Sequence, residues 1–219
     1  MNYVAVSNTA ELFFSLFNIF TILAILVGTF VLGLMAYLVL RFRETASSPE
    51  PEDAPKLGQL PAPRGKLRTV VISVALSAII LGVLVVGTFS AIDQINAPPQ
   101  VCAQTPSPCL TVQVEAGRFF WNVTYPGGRE DTNLLVVPKG TTVILKVTSL
   151  DVFHSFGIED FRIKTDAIPG RINTIWFVAN EAGDYLIRCF ELCGTGHAAM
   201  IGTLQVVEPG SFQSCGSGC

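Results

Sequence analysis

Histidine and methionine are scarce in this chain, which has only two histidines and three methionines among its 219 residues. The chain has no stripe of basic residues, and this absence argues against a nucleic acid as partner. It also has no C-x-x-C-H motif, so it has no attachment site for a c-type haem. No lysine or arginine precedes the first apolar run, which argues against a cleaved signal peptide.

Two long apolar runs predict membrane spans. Residues 12–40 and 69–92 contain no charged residue, and about 20 apolar residues suffice to cross a bilayer. The segment 41–68 between them is rich in proline, serine and basic residues, so the positive-inside bias predicts that it is a cytoplasmic loop. We therefore expect residues 1–92 to be a multi-pass anchor in a plasma or inner membrane, in contact with lipid, with the rest of the chain on the outer or periplasmic side.

The remaining chain predicts a linker, 93–109, and an external all-β domain, 110–219. Twelve of the 17 acidic residues and eight of the 14 basic residues follow Ile92, which gives this part a net charge of −4. Seven short runs rich in Val, Ile, Thr and aromatic residues are separated by turn signals such as Pro-Gly-Gly and Pro-Lys-Gly. The predicted strands are 110–114, 119–125, 133–137, 141–149, 173–178, 184–189 and 202–207. Their pattern favours an antiparallel sandwich or a Greek-key barrel.

Four soft ligands stand close together in the stretch RCFELCGTGHAAMIGT. Their spacing is Cys189-x3-Cys193-x3-His197-x2-Met200, at the end of one predicted strand and the start of the next. Sulfur ligands select copper, zinc or iron–sulfur, and a thioether favours copper over zinc. Structural zinc on two cysteines and two histidines is a rival interpretation. A disulfide between Cys189 and Cys193 is the simplest alternative, since extracellular cysteines usually pair.

Two copper ions could share the two thiolates. A mononuclear blue-copper site needs one cysteine, two histidines and an axial methionine, which leaves the second cysteine unexplained. With His154 as second imidazole and the backbone carbonyl of Glu191 as sixth ligand, each copper would take one histidine and one weaker ligand. Such a pair would relay electrons, because the charge of one electron is spread over two metals and two sulfurs.

The same residues resemble subunit II of haem-copper cytochrome c oxidases. The stretch CFELCGTGHAAM fits the family pattern C-x-E-x-C-G-x-x-H-x-x-M, and DVFHSFGIEDFRIKTDAIPGRIN resembles its D-V-x-H-S and K-x-D-A-x-P-G-R-x-N elements. The resemblance implies a membrane-anchored all-β fold with two N-terminal transmembrane helices and an external cupredoxin-like Greek-key β-barrel. It implies a dinuclear copper centre, CuA, held by these residues: His154, Cys189, Glu191, Cys193, His197 and Met200. It also implies that the side chain of Glu191 helps to bind magnesium at the interface with subunit I.

The function implied is the acceptance of electrons from an external carrier and their transfer to haem in subunit I. Oxygen is reduced to water there, so no catalytic residue and no haem are expected in this chain, and other oxidase subunits are expected partners. The aromatic stretch GRFFWNVTYP departs from the family, which has two tryptophans where electrons arrive. Trp121 matches one of these tryptophans and Phe119 replaces the other. The alternative to a role in electron entry is that both side chains simply pack in the core of the domain. The donor is therefore either a cytochrome c or a blue-copper protein.

Four further cysteines are disulfide candidates: Cys102, Cys109, Cys215 and Cys219. They allow three connectivities, among them a local bond between Cys102 and Cys109. Three other functions stay open at this point. The chain could be the CuA subunit of a nitric oxide reductase, a membrane-anchored module for metal delivery or sensing, or a disulfide-stapled assembly domain.

Overall fold

The computed structural model describes residues 5–43, 58, 65–104 and 108–213. The chain forms two compact units. One comprises residues 1–15 and 90–219, and the other comprises residues 16–89.

Two long helices account for the apolar runs. Helix α1 spans Asn8–Phe42 and helix α2 spans Leu67–Asn96. Both are long and apolar enough to cross a membrane by length and composition. The hydroxyl groups of Ser73, Ser77 and Thr88 donate hydrogen bonds to carbonyl oxygens one turn earlier, which satisfies these polar groups without water. The prediction of two apolar helices is confirmed.

The described residues of the other unit form ten strands in two five-stranded sheets. The strands are β1 Leu110–Gly117, β2 Phe120–Thr124, β3 Glu130–Thr132, β4 Leu134–Pro138, β5 Thr142–Ser149, β6 His154–Ile158, β7 Ile163–Ala167, β8 Asn173–Val178, β9 Gly183–Cys189 and β10 Ile201–Val207. The first sheet has the order β3-β2-β1-β5-β8 and the second β4-β10-β9-β6-β7. Alternate residues of the strands, such as Val112, Val114 and Ala116 of β1, are buried in the core between the sheets.

The predicted fold class, a two-helix anchor with an external cupredoxin-like β domain, is confirmed, but two of its details are wrong. The sandwich is not purely antiparallel, because β1 pairs with β5 and β4 pairs with β10 in parallel. Three strands were missed: β3, β6 and β7. The sequence EDT of β3 is short and acidic, β6 contains Gly157, and β7 carries the polar run Lys-Thr-Asp, so none of them shows the apolar pattern of a strand.

Four loops meet at one end of the sandwich, which we call the upper end. They comprise residues 118–119, 150–153, 168–172 and 190–200. Ala116 near the end of β1 pairs with Ser149 at the end of β5. His154 at the start of β6 pairs with Ala167 at the end of β7, and Arg188 in β9 pairs with Ile201 at the start of β10. The registers therefore bring these loops to the same end. The turns between β2 and β3, β4 and β5, β6 and β7, and β8 and β9 form the lower end.

Ser7, Asn8 and Thr9, at the start of α1, form hydrogen bonds with the lower end of the sandwich. The hydroxyl of Thr9 donates a hydrogen bond to the carbonyl of Phe161 at 2.6 Å, and the hydroxyl of Ser7 donates to the same carbonyl at 3.2 Å. The side chain of Asn8 accepts a hydrogen bond from the backbone N–H of Val178 at 2.8 Å. Both hydroxyls are buried, so these bonds fix the start of α1 against the sandwich.

Tyr125 provides a test of the packing at this lower end. Burial raises the pKa of Tyr125 to about 12, although its oxygen accepts a hydrogen bond from the Val136 N–H. The raised pKa favours the protonated phenol in the folded state. We therefore expect Tyr125 to stabilise the fold fully below about pH 10, the pKa of an unfolded tyrosine, and to lose this contribution as the pH rises to about 12. Alkaline ultraviolet difference spectroscopy of the wild type against Tyr125→Phe measures this step. Superimposable titration curves above about pH 11 would contradict the prediction.

Candidate metal centre

Two neighbouring strands of the second sheet bring the first two candidate ligands together. His154 is the first residue of β6 and Cys189 the last of β9. Phe156 is the antiparallel partner of Cys189, and residues two apart on a strand share a face. His154 therefore lies diagonally across from Cys189 on the inner face, with its Nδ1 3.8 Å from the Cys189 Sγ.

The loop of residues 190–200 adds the other ligands. The Cys193 Sγ lies 3.9 Å from the Cys189 Sγ. A short 3-10 turn, His197–Ala199, places the His197 Nδ1 3.7 Å from the Cys193 Sγ, and the Met200 Sδ lies 3.8 Å from the same sulfur. The carbonyl oxygen of Glu191 lies 3.3 Å from the Cys189 Sγ. The other four candidate copper ligands of the sequence thus surround the sulfur atoms of Cys189 and Cys193.

The two sulfurs are buried and not bonded to each other. Cys189 and Cys193 are 9% and 7% exposed, and both are free thiols. His154 and Met200 are almost fully buried, whereas His197 is half-buried and lies nearer the surface. A disulfide between Cys189 and Cys193, the alternative weighed above, is absent from the structure.

Asp151 fixes the orientation of His154, a role that the sequence analysis did not assign. Its Oδ1 lies 2.8 Å from the His154 Nε2. Burial of Asp151 opposes ionisation, but hydrogen bonds from His154 and from the N–H groups of Val152 and Arg118 outweigh it and lower its pKa to about 2. An ionised carboxylate only accepts hydrogen bonds, so the His154 Nε2 carries a proton and Nδ1 is the nitrogen left for a metal. The lone pair of Nδ1 then faces Cys189, as in the carboxylate–histidine arrangement typical of metal sites.

The Cys193 thiol is held in its protonated form when no cation is present. Burial raises the pKa of the Cys193 thiol to about 11, and the neighbouring Cys189 sulfur adds to this effect. Two thiolates side by side in a buried pocket therefore need a compensating positive charge. A metal cation between them would supply it and would release their protons on binding.

Phe119 packs against the ligand loop. Its ring lies so close to Gly194 and Gly196 that a Cβ at Gly196 would overlap it. Gly194 also has a φ of +135°, in the region that favours glycine. The glycines of the loop thus allow both its tight course and the contact with the aromatic ring.

Trp121 lies inside the sandwich and not on its surface. Its side chain is fully buried. The centroid of its ring lies 6.3 Å from that of the His154 ring and 5.2 Å from that of the Phe156 ring. A soluble donor therefore cannot touch Trp121. Phe119 is only partly buried, so it is the one of the two aromatic candidates that a donor can reach.

Among the other cysteines, Cys102 and Cys109 form a disulfide with a Cα–Cα distance of 5.3 Å. Cys215 and Cys219 lie outside the described residues. The disulfide closes a short loop ahead of β1 and takes no part in the ligand cluster.

The donor set fits copper better than a single structural zinc ion. His154, Cys189 and Cys193 offer ligand atoms that lie within 4.8 Å of one another. A single tetrahedral zinc would be saturated by these three and His197. It would leave the buried thioether of Met200 and the Glu191 carbonyl beside the sulfurs without a role, whereas soft thioether ligands suit copper.

Comparison with known proteins identifies the family. The domain described as "Cytochrome C oxidase subunit II, periplasmic domain" matches residues 129–207. The chain is 32% identical over 220 residues to the heme-copper oxidase subunit 2 of Aeropyrum pernix, a match that covers 93% of this chain and 88% of the relative. The chain belongs to the family of cytochrome c oxidase subunit II.

The chain is also similar to two further members of the subunit II family over shorter regions. Cytochrome c oxidase subunit 2 of Thermus thermophilus is 34% identical over 111 residues, covering 51% of this chain and 76% of the relative. Among solved structures, the periplasmic domain of subunit II from Bradyrhizobium japonicum is 34% identical with a TM-score of 0.46, covering 50% of this chain and 91% of that one.

Membership in the subunit II family confirms the resemblance seen in the sequence. The chain is an electron-accepting subunit of a haem-copper oxidase and so belongs to an oxidoreductase complex. The nitric oxide reductase and metal-delivery alternatives are not favoured. The two helices and the periplasmic-domain match also support a membrane anchor with an external domain.

Asp151→Asn tests the role of the carboxylate in this subunit II. The substitution removes the charge that holds the His154 ring while keeping the side-chain size. We expect the affinity for copper to fall about tenfold or more, the range typical of such supporting groups, while the fold is retained. Copper titration followed by absorbance, with circular dichroism for the fold, measures both.

The matched control is Asp184→Asn, whose exposed carboxylate accepts a hydrogen bond from the side chain of Gln205 at 3.3 Å. It should leave the copper affinity unchanged. Equal losses in the two variants would show that Asp151 has no special role.

Proposed function

We propose that this chain accepts electrons from a soluble carrier at a dinuclear copper centre and passes them to haem in the partner subunit, where oxygen is reduced to water. One observation carries the proposal. Two buried, unbonded thiols 3.9 Å apart are surrounded by two imidazole nitrogens, a thioether and a carbonyl oxygen, each 3.3–3.8 Å from one of the sulfurs.

Each ligand has a distinct role in this proposal. Cys189 and Cys193 are the bridging thiolates, and His154 and His197 are the imidazole ligands. Met200 and the carbonyl of Glu191 complete the set as weaker ligands. A bound copper pair would supply a one-electron redox centre whose charge is shared by two metals and two sulfurs.

The chain itself supplies rigidity and exclusion of water. His154 is fully buried and held by Asp151, and Cys189 is tied to the next strand because its N–H donates to the Met200 carbonyl at 3.2 Å. The N–H of Phe190 donates to the Ser155 carbonyl at 2.8 Å, which fixes the start of the ligand loop. Ligands held in this way change position little when an electron arrives or leaves, and this lowers the cost of the transfer.

The upper end offers a surface for the haem-bearing subunit. Four side chains there are strongly exposed although apolar: Leu150 at 59%, Phe153 at 40%, Ile172 at 65% and Leu192 at 77%. Exposed apolar side chains that cluster on one surface mark an interaction site. Leu192 follows Glu191, whose side chain we assign to a magnesium ion at the same interface.

The anchor completes the arrangement. We propose that both helices cross a plasma or inner membrane, so that residues 1–92 form a multi-pass anchor. Arg41 and Arg43 at the end of α1 and Arg68 at the start of α2 are the basic residues that favour a cytoplasmic position for residues 41–68. Residues 93–109 then link the anchor to the copper domain, residues 110–219, on the outer side.

Electron paramagnetic resonance of the copper-loaded full chain tests the proposal. We expect two coppers per chain that share one unpaired electron, with hyperfine splitting from both nuclei. Cys193→Ser removes a bridging sulfur and should abolish this signal. Metal analysis of the same samples gives the copper and zinc content.

A variant without the other cysteine pair serves as control. Replacement of Cys102 and Cys109 by serine removes two cysteines outside the cluster and should retain the paired signal. One copper per chain, bound zinc, or a Cys189–Cys193 disulfide in the wild type would contradict the proposal.

A further inference from the structure

Trp121 has no role in the function proposed above, although the sequence singled it out. Its side chain is fully buried, so a soluble donor cannot touch it. Its indole N–H has no hydrogen-bond acceptor among the residues that the structure describes. A buried donor without a partner costs free energy, and a phenylalanine in the same place would avoid that cost. The stability of the fold alone therefore does not account for a tryptophan at this position.

The indole of Trp121 reaches from the first sheet to the second. Its backbone belongs to β2, and its ring meets the rings of Phe156 and His154 on β6 edge to face, with interplanar angles of 86° and 65°. Its Cδ1 atom faces β10, where a Cβ at Gly202 would lie 3.3 Å from it. The indole thus contacts two strands of the second sheet, the one that begins with His154 and the one that follows Met200.

Asn133 fixes the backbone of Trp121. Its Oδ1 accepts a hydrogen bond from the Trp121 N–H at 2.8 Å, and its own N–H donates to the Trp121 carbonyl at 2.7 Å. The carbonyl of Asn133 accepts a hydrogen bond from the Thr203 N–H at 2.8 Å. Asn133 has a φ of +59°, a conformation that asparagine adopts more readily than most residues. This one residue therefore ties the backbone of Trp121 to β10.

The imidazole of His154 needs a contact of this kind, because one hydrogen bond does not fix the plane of its ring. Its Nε2 lies 2.8 Å from Asp151, and its Nδ1 lies 3.8 Å from the Cys189 Sγ. Rotation about the Cβ–Cγ bond of a histidine has a broad energy profile, so the hydrogen bond to Asp151 leaves some freedom to turn. The indole of Trp121 packs against the imidazole and limits this rotation.

We propose that Trp121 is a positioning residue for the metal centre. The indole, held by Asn133, keeps the His154 imidazole in the plane in which Nδ1 can bind copper. The proposal rests on the function proposed above and adds a residue that acts through a ligand without touching the metal or the donor. Ligands have to be held within about 10–20° of the productive geometry, so a looser ring should bind copper less tightly.

The two tryptophans of the chain offer a matched pair of substitutions. Trp121→Phe shrinks the ring beside His154. Trp176→Phe makes the same change on β8, on the opposite face from the buried Ile175 and Phe177, and its indole N–H also lacks an acceptor among the described residues.

Copper titration of the full chain, with circular dichroism to check the fold, compares these two variants. We expect Trp121→Phe to weaken copper binding about tenfold, as is typical of groups that support a metal ligand. Trp176→Phe should change the affinity less than about twofold, because it lies away from the ligands. Equal affinities of the two variants would overturn the proposal.

Electron–nuclear double resonance of the copper-loaded chains shows whether the effect passes through His154. Each copper-bound imidazole nitrogen gives its own hyperfine coupling, and Asp151→Asn identifies the coupling of His154 because Asp151 holds that ring. Trp121→Phe should change this coupling and leave that of His197 as in the wild type. Any other pattern, including a change in both couplings, would contradict a role through His154.

Asn133 provides a second test that leaves the indole in place. Asn133→Gly tolerates the positive φ but removes the acceptor for the Trp121 N–H, so it should weaken copper binding several-fold. Asn133→Asp keeps an acceptor oxygen and should restore the wild-type affinity to within about twofold. Equal affinities of these two variants would contradict the proposal, also in the case that Trp121→Phe does not fold.

Copper analysis of the wild type separates the two proposals. A wild-type chain that does not hold two coppers contradicts the proposed function. A wild-type chain that holds two coppers, while Trp121→Phe and Trp176→Phe bind copper equally well, contradicts only the role of Trp121.

Discussion

The site depends on two buried thiols that lie side by side without a bond between them. Cys189 is fixed at the end of β9, and Cys193 is held in the loop that leads to β10. Burial keeps water out and raises the pKa of Cys193, so the pair is adapted to a cation that offsets two adjacent negative charges. Every other group in the site, from His154 and Asp151 to Met200, is positioned around these sulfurs.

The sandwich separates two tasks by position. Parallel pairing of β1 with β5, together with the antiparallel registers of β6, β7 and β9, brings four loops to the upper end, where the ligands and the exposed apolar side chains lie. The lower end receives the start of α1 through Ser7, Asn8 and Thr9. In our proposal, the exposed apolar side chains of the upper end meet the haem-bearing subunit, and Phe119 is the aromatic side chain that a donor can reach.

The sequence predicted much of the site because its chemistry is local. Cys189, Cys193, His197 and Met200 stand in one loop, and only two histidines exist to be assigned. Strands β3, β6 and β7 were missed because they are short, polar or contain glycine. The burial of Trp121 could not be predicted from the sequence, because it depends on packing against His154 and Phe156 of the other sheet. The role of Asp151 was missed although it stands three residues before His154, since the spacing alone does not show that its carboxylate turns towards the ring.

X-ray diffraction at the copper absorption edge, from crystals of the copper-loaded chain, tests the central claim most directly. Anomalous scattering locates each copper independently of the protein atoms. The account predicts two peaks, both bound by the sulfurs of Cys189 and Cys193, with His154 and His197 each bound to one of them. A single peak, or density for a bond between the two sulfurs, would contradict it.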